Sequence, residues 1–279
     1  MSVIRELQED LSQVETAQFV TTMLRDISAT RLASIRAIFE ANQAYYEELH
    51  GLMEAVKRYA NAEGVDLSPH EPEQGRIYVA VTANKRFYGN LNADIMTTWQ
   101  RCMEADSGAA GVVIGLTGQQ WLERHTVPGQ IQCTQFASDE PTHADMVNMI
   151  TALKPYSDVQ VVHPTFINSF RQEPIVTDIT HLATAEPAAA PPIQFICEPE
   201  LPDLLQFFRT HIRLTLFRRA LLETRLALTG ARLMKMQRAR ERSVELVKEQ
   251  QRVIHREMST IQSMRLLETS ISFHTDTKI

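Results

Sequence analysis

Proline is missing from both ends of this chain. Residues 1–68 and 203–279 contain none, and all twelve prolines fall between Pro69 and Pro202. Proline costs about 3 kcal/mol in a helix interior. Its absence leaves roughly half of the chain free to form long helices and concentrates turns in the middle. Long apolar runs are missing too. The longest, around Gly111-Val112-Val113-Ile114-Gly115-Leu116, is far short of the ~18–20 residues that span a bilayer. The first residues, Met1-Ser2-Val3-Ile4-Arg5-Glu6, lack a basic segment followed by an apolar core, so no signal peptide is expected. Cysteine is scarce. Cys102, Cys133 and Cys197 are widely spaced and form no C-x-x-C pair, which argues against a zinc site or a disulfide framework. The expectation is a cytosolic, reduced, soluble chain.

Charge is unevenly distributed. Residues 1–68 carry 6 basic and 11 acidic residues, residues 69–202 carry 7 and 15, and residues 203–279 carry 15 and 8. A basic C-terminal arm therefore closes a chain of net charge −6. The 44% apolar content is that of a globular protein, and 279 residues suggest about two domains.

In the first segment Ile4, Leu7, Leu11 and Val14 step by three and four, and Leu24, Ile27, Leu32, Ile35 and Phe39 do the same after a phase break. The pattern predicts one helix to about Tyr59, a rod of roughly 85 Å, with Gly51 its weak interior position. A second helix starts after Pro202 with Asp203 as N-cap. Its apolar positions run from Leu205, Phe208, Ile212 and Leu216 to Val247, Ile254, Met258 and Ile261, interrupted only by Gly230. That is on the order of 100 Å. A domain the size of the middle segment is only about 30 Å across. The two helices must project from it, and long helices are marginal unless packed. They are expected to pair as an antiparallel coiled coil.

The middle alternates. Strands are predicted at Arg76–Ala83, Gly111–Gly115, Val159–His163 and Ile193–Cys197, with an edge strand from Thr165 to Phe170. Helices are predicted at Asn92–Ala105 and Asp139–Lys154, with Asp139 as cap. Thr184–Pro192 reads as a loop. The alternation implies a small α/β domain with a mainly parallel sheet. The expected division is an N-terminal coiled-coil helix over 1–60, an α/β domain over 74–200 and a C-terminal coiled-coil helix over 203–273.

Catalytic signatures are sparse. No G-x-x-x-x-G-K-[ST] loop is present. Gly108, Gly111, Gly115 and Gly118 flank the second strand without a G-x-G-x-x-G opening a helix, and tight strand-end turns are the simpler reason for them. The nine histidines show no H-E-x-x-H spacing. His143 and Asp145, two apart, point away from each other on a helix and read as solvated or cap-like. Cys133 has no base partner in sequence. The basic arm from Arg209 to Arg256 is interleaved with Glu223, Glu241, Glu245 and Glu249 and nearly lacks aromatics beyond Phe217. That pattern suits a solvated face or a surface complementary to an acidic protein better than nucleic acid.

Three stretches resemble one family, the gamma subunit or central stalk of F-type rotary ATPases. Val14 to Leu32 is similar, position for position, to that family's N-terminal helix, and Tyr45 falls on the tyrosine of its R-P-Y. Asn84-Lys85-Arg86-Phe87-Tyr88-Gly89-Asn90-Leu91-Asn92 resembles its D-R-G-L-C-G-G-L-N turn. Ala220-Leu221-Leu222-Glu223-Thr224 precedes Gly230-Ala231-Arg232-Leu233-Met234-Lys235-Met236 at the spacing of its A-L-L-E-S and A-A-R-M-x-A-M. The departures mark a divergent member. Thr22 replaces a lysine, Arg86 and Asn90 replace two glycines of the turn, and neither Met258–Arg265 nor the tail Thr269–His274 keeps the family's C-terminal pattern.

The resemblance implies α/β plus a long antiparallel coiled coil, with a small Rossmann-like α/β domain in the middle. It implies a rotor shaft with no catalytic residues of its own and no cofactor. Its partners would be the alpha and beta subunits of a catalytic hexamer, an epsilon-like subunit and a membrane rotor ring of c subunits, with no nucleic acid. The protein would be peripheral, on the cytoplasmic face of the membrane. The paired tips, roughly Met1–Arg31 and Met236–Phe273, would enter the hexamer. The contacting residues would be Val20, Thr21, Leu24, Arg25, Arg31, Arg232, Met236, Arg238, Arg240 and Arg242. The foot facing the ring and the epsilon-like subunit would carry Phe207, Phe208, Arg209 and His211, with the alternative that both rings pack on the N-terminal helix. Two other readings are a gamma-like shaft in a motor not devoted to ATP synthesis and a coiled-coil adaptor.

Overall fold

A computed structural model describes residues 2–62, 74–136, 138, 140–180, 198 and 200–276. Helix α1 runs over Ser2–Ala62 without interruption. An α/β segment follows: β1 (Gln74–Val81), α2 (Leu91–Ala105), β2 (Ala110–Ile114), α3 (Leu116–Leu122), β3 (Ile131–Thr134), α4 (His143–Leu153), β4 (Tyr156–Phe166) and β5 (Gln172–Asp178). Helix α5 occupies Leu201–Asp276. It begins before Asp203 and includes Pro202, because first-turn N–H groups have no intrahelical acceptor and proline loses nothing there. Asp203 sits in the first turn, where a carboxylate favours the helix dipole.

The sheet order is β3-β2-β1-β4-β5. β1 pairs in parallel with β2 and β4, and β2 with β3; only β4 and β5 are antiparallel. β1 shows why its sequence is continuously apolar from Ile77 to Val81. Ile77, Val79 and Val81 face one core cluster, and Tyr78 and Ala80 face the other, as alternation requires of a strand covered on both sides. The first cluster is closed by Met53, Val56 and Ala60 of α1, by Met146, Ile150 and Leu153 of α4, and by Phe208, Ile212, Leu216, Phe217 and Leu221 of α5. The second is built on α2, whose fully buried Trp99 donates its indole N–H to the Tyr78 carbonyl at 3.0 Å.

Several predicted elements move. The Thr165–Phe170 strand is the end of β4 and the turn after it, and the edge strand on that side of the sheet is β5. α4 is capped by Thr142, whose hydroxyl accepts from the Asp145 amide at 3.2 Å while Asp145 Oδ2 accepts from the Thr142 amide at 2.8 Å. The Thr142 hydroxyl also donates to Asp145 Oδ2 at 2.8 Å, and that bond, together with the one from the Thr142 amide, holds the Asp145 carboxyl below its usual range. Asp139, the Thr184–Pro192 loop and the Ile193–Cys197 strand lie outside the described residues. The second-strand glycines answer to close packing as well as turns. Gly111 lies in β2 itself, where a Cβ would come within 2.6 Å of Trp99 Cζ2. Gly118 in α3 would meet Val113 at 2.5 Å. Gly115 alone has a positive φ, +102°, at the turn into α3.

The chain divides into two compact units, Met1–Ser28 with Leu233–Ile279, and Ala29–Arg232. In the second, Phe39 of α1 receives the Arg219 guanidinium of α5 at 6.0 Å from its ring centroid. Further along α1, Met53, Val56 and Ala60 share a cluster with Phe208 and Ile212, earlier on α5. The rising and falling numbers make the pair antiparallel. In the first unit the buried positions are Ser28, Met236, Ser243 and Ile254. The two serines bond their own helices, Ser28 to the Leu24 carbonyl at 2.7 Å and Ser243 to that of Ala239 at 2.9 Å, so they leave no polar group unmet.

Candidate functional site

Unit one presents two contrasting surfaces. On α1, Phe19, Val20, Met23 and Ile27 are all exposed. Val20, Met23 and Ile27 step by three and four, so they form one apolar stripe facing water. An exposed apolar stripe of this kind is a candidate contact surface. Thr21 and Leu24 flank it half-buried, the Thr21 hydroxyl turned back to the Ala17 carbonyl at 2.9 Å. Arg25 is paired with Asp26 at 2.5 Å. On α5, Arg238 and Arg242 are exposed and Arg240 half-buried. Met236, at 6% exposed, faces inward and serves the packing of its own unit. Further along, Lys248, Gln251, Arg252, His255 and Arg256 line an open cavity of about 450 Å³ with no carboxylate among them.

Unit two holds the remaining predicted residues. Arg31 is exposed on α1. Arg232 turns onto the loop after β1: its guanidinium lies 4.4 Å from the Tyr88 ring centroid, and Nη2 donates to the Arg86 carbonyl at 3.0 Å. The Phe207-Phe208 pair is split by helix geometry. Successive side chains point about 100° apart, so Phe207 is 52% exposed while Phe208, at 5%, packs in the core. The exposed ring carries His211 at 4.1 Å between centroids. Arg209 beside them is half-buried.

The carboxyl ends of β1 and β2 form a third feature. Thr82 and Asn84 organise it: the Thr82 hydroxyl donates to the Ile114 carbonyl at 2.7 Å and accepts from the Gly118 amide at 3.0 Å, and Asn84 Oδ1 accepts from the Leu116 amide at 3.0 Å. Beyond them lies a cavity of about 460 Å³ whose lining includes Lys85, Arg86, Phe87, Trp121 and Arg124. Phe87 has φ +76°, a conformation unusual for a side chain-bearing residue, and is 64% exposed. Sequence reading missed α3, β3 and β5, and it missed that Glu223 of α5 binds the end of β4. Its signal was present in the Ala220–Thr224 stretch, without anything to name the partner.

Among the described residues no three or more His, Cys, Asp or Glu side chains are grouped to hold a metal ion. No described helix is long and apolar enough to cross a membrane. The features that stand out are an exposed apolar stripe on α1 and exposed basic residues on α5, two long helices that join an α/β body.

Comparison with known proteins agrees with that class. A family model described as ATP synthase matches residues 3–258, and the chain belongs to that family. The ATP synthase gamma chain of Desulforamulus reducens is 21% identical over 255 residues, covering 88% of this chain and 89% of the relative. That of Rubrobacter xylanophilus is 24% identical over 283 residues, covering 94% and 97%. In fold, the chain is similar to one in a cryo-EM structure of the Euglena gracilis mitochondrial ATP synthase containing OSCP, F1 and c-ring. The TM-score is 0.64 at 13% identity, covering 100% of this chain and 97% of that one.

Proposed function

We infer that this chain is the central rotor shaft of an F-type ATP synthase. It couples rotation of a membrane ion-driven ring to conformational cycling of a catalytic alpha–beta hexamer, in ATP synthesis or in hydrolysis-driven ion transport. One observation carries the reading: the family match spans residues 3–258, taking in nearly all of α1, the α/β body and most of α5. A shaft needs no chemistry of its own. It favours one nucleotide-site conformation over another by contacting each differently as it turns.

On this reading the helix segments over 1–60 and 203–273 are the coiled-coil domains, and 74–200 is the body. The tips Met1–Arg31 and Met236–Phe273 enter the hexamer. There the stripe at Val20 supplies apolar contact, with Leu24 beside it, and Thr21, Arg25 and Arg31 supply polar contacts. The basic residues Arg238, Arg240 and Arg242 meet acidic loops of the alpha and beta subunits. Arg232 and Met236, turned toward their own unit, act by holding the helix in place. Phe207 with Arg209 and His211 faces the ring of c subunits and an epsilon-like subunit, and Phe208 anchors that foot from within. The protein is then peripheral, at the cytoplasmic face of the membrane, with neither cofactor nor active site. A shaft in a motor devoted to something other than ATP synthesis is the second reading, supported by the tail Thr269–His274, whose sequence departs from the family's C-terminal pattern.

A tagged pull-down from native membranes, with subunit stoichiometry by mass, tests both. One copy with three alpha-like chains, three beta-like chains and a membrane ring supports the synthase shaft. A hexamer without a ring subunit supports the second motor. No hexamer at all would leave a coiled-coil adaptor.

A further inference from the structure

We propose that the contacts between α5 and the carboxyl edge of the sheet form a torque-bearing joint, with Arg232 as its positioning residue. The proposal rests on the shaft reading and says where in the body the load is carried. Four observations within one compact unit converge. First, Arg232 is fixed twice on the loop after β1, by its 4.4 Å approach to the Tyr88 ring and its 3.0 Å bond to the Arg86 carbonyl. Second, Glu223, nine residues earlier on α5, accepts from the Phe166 amide at 3.3 Å and from the Thr165 hydroxyl, both at the end of β4. Third, Gly230 makes room for the Phe166 ring: a Cβ there would lie 2.8 Å from Phe166 Cε2. Fourth, the Arg36 guanidinium of α1 lies 5.7 Å from the centroid of that same ring.

The chemistry of these contacts differs from the core beneath them. The first cluster holds α5 to the sheet through aliphatic and aromatic side chains. Hydrophobic contact is non-directional, so it resists separation better than twist. Hydrogen bonds weaken steeply once bent, and a ring seated in the gap left by a glycine blocks sliding by hard contact. Bonds of these kinds at Glu223 and Arg232 engage two different places, the end of β4 and the loop after β1. Turning α5 about its own axis against the sheet would break both. The tyrosine face also retains the guanidinium where hydrogen bonding alone would not, since a cation is attracted to the face of an aromatic ring. Arg232 Nε is buried without an acceptor, so the side chain keeps this pose despite one unmet donor.

The test uses the assembled complex in sealed vesicles, reading ATP hydrolysis and ATP-driven ion uptake on the same sample. Arg232→Met keeps the apolar stem and removes the cation and the donor. It is expected to assemble with normal stoichiometry and hydrolyse ATP near the native rate, while ion uptake per ATP falls about fivefold, the low end of ordinary coupling between sites. Tyr88→Phe keeps the ring face and is expected to hold the native ratio. An unchanged uptake ratio in Arg232→Met overturns the joint. So does loss of assembly, or hydrolysis and uptake falling together, since Arg232 would then only support the fold. Failure of the native chain itself to enter a hexamer would sink the shaft reading, and the joint with it.

Discussion

His163 shows how one residue writes a pH dependence into the fold. It lies on β4 at 1% exposure, with Nε2 at 2.9 Å from the Thr177 hydroxyl and Nδ1 at 4.0 Å from Glu223 Oε2. Burial lowers its pKa; Glu223 and the Pro164 backbone oppose that shift, and Arg219 adds to it. The folded protein therefore holds His163 neutral at pH values where the unfolded chain, titrating at 6.5, takes up a proton. Stability is complete above that value and declines as pH falls through it toward the lower folded value. His163→Gln keeps a polar partner for Thr177 and cannot titrate. Its urea midpoint should fall less between pH 7.5 and about pH 5 than that of the native protein. Parallel curves would show that other groups set the acid sensitivity. Nothing in the sequence around His163 signals this role, because its partners are 14 and 60 residues away.

At the scale of elements, the long helices were legible and the short pieces were not. α1 and α5 follow from a local rule, the absence of proline joined to apolar steps of three and four. α3, β3 and β5 defeat local rules. α3 has seven residues with a glycine at its third position, and β3 has four with its middle two exposed. β5 contains Pro174 directly opposite Pro164 of β4, a pairing that reads as loop in sequence and is tolerated where a sheet ends. Two substitutions test what the folded elements need. Thr142→Ala removes the reciprocal cap of α4 and should cost ~1 kcal/mol in chemical unfolding. Gly111→Ala drives a methyl into Trp99 and should cost about 1–3 kcal/mol. Were Gly111→Ala neutral, the α2–β2 contact would be looser than its 2.6 Å clearance implies.

For the whole molecule, the predictions concern partners. Changing Arg238, Arg240 and Arg242 together to Glu inverts one stretch of α5 while leaving the buried Met236 and Ile254 in place. Hexamer assembly or coupled ion pumping should weaken, most strongly at low salt, where charges within about 10 Å are least screened. Unchanged coupling would remove that face from the bearing. At the foot, a cysteine at exposed position 207 should crosslink to a neighbouring subunit, and one at buried position 208 should react only within the chain. The amino-acid sequence alone determined the two helices and the α/β segment between them, because helix periodicity, proline placement and strand–helix alternation are properties of neighbours in the chain. Tertiary structure alone decided which arginine serves the surface and which the body, which phenylalanine of an adjacent pair is exposed, and that Glu223 and Gly230 meet the end of β4 while Arg232 meets the loop after β1. Those outcomes depend on contacts between residues far apart in sequence, and only closure of the chain brings such residues together.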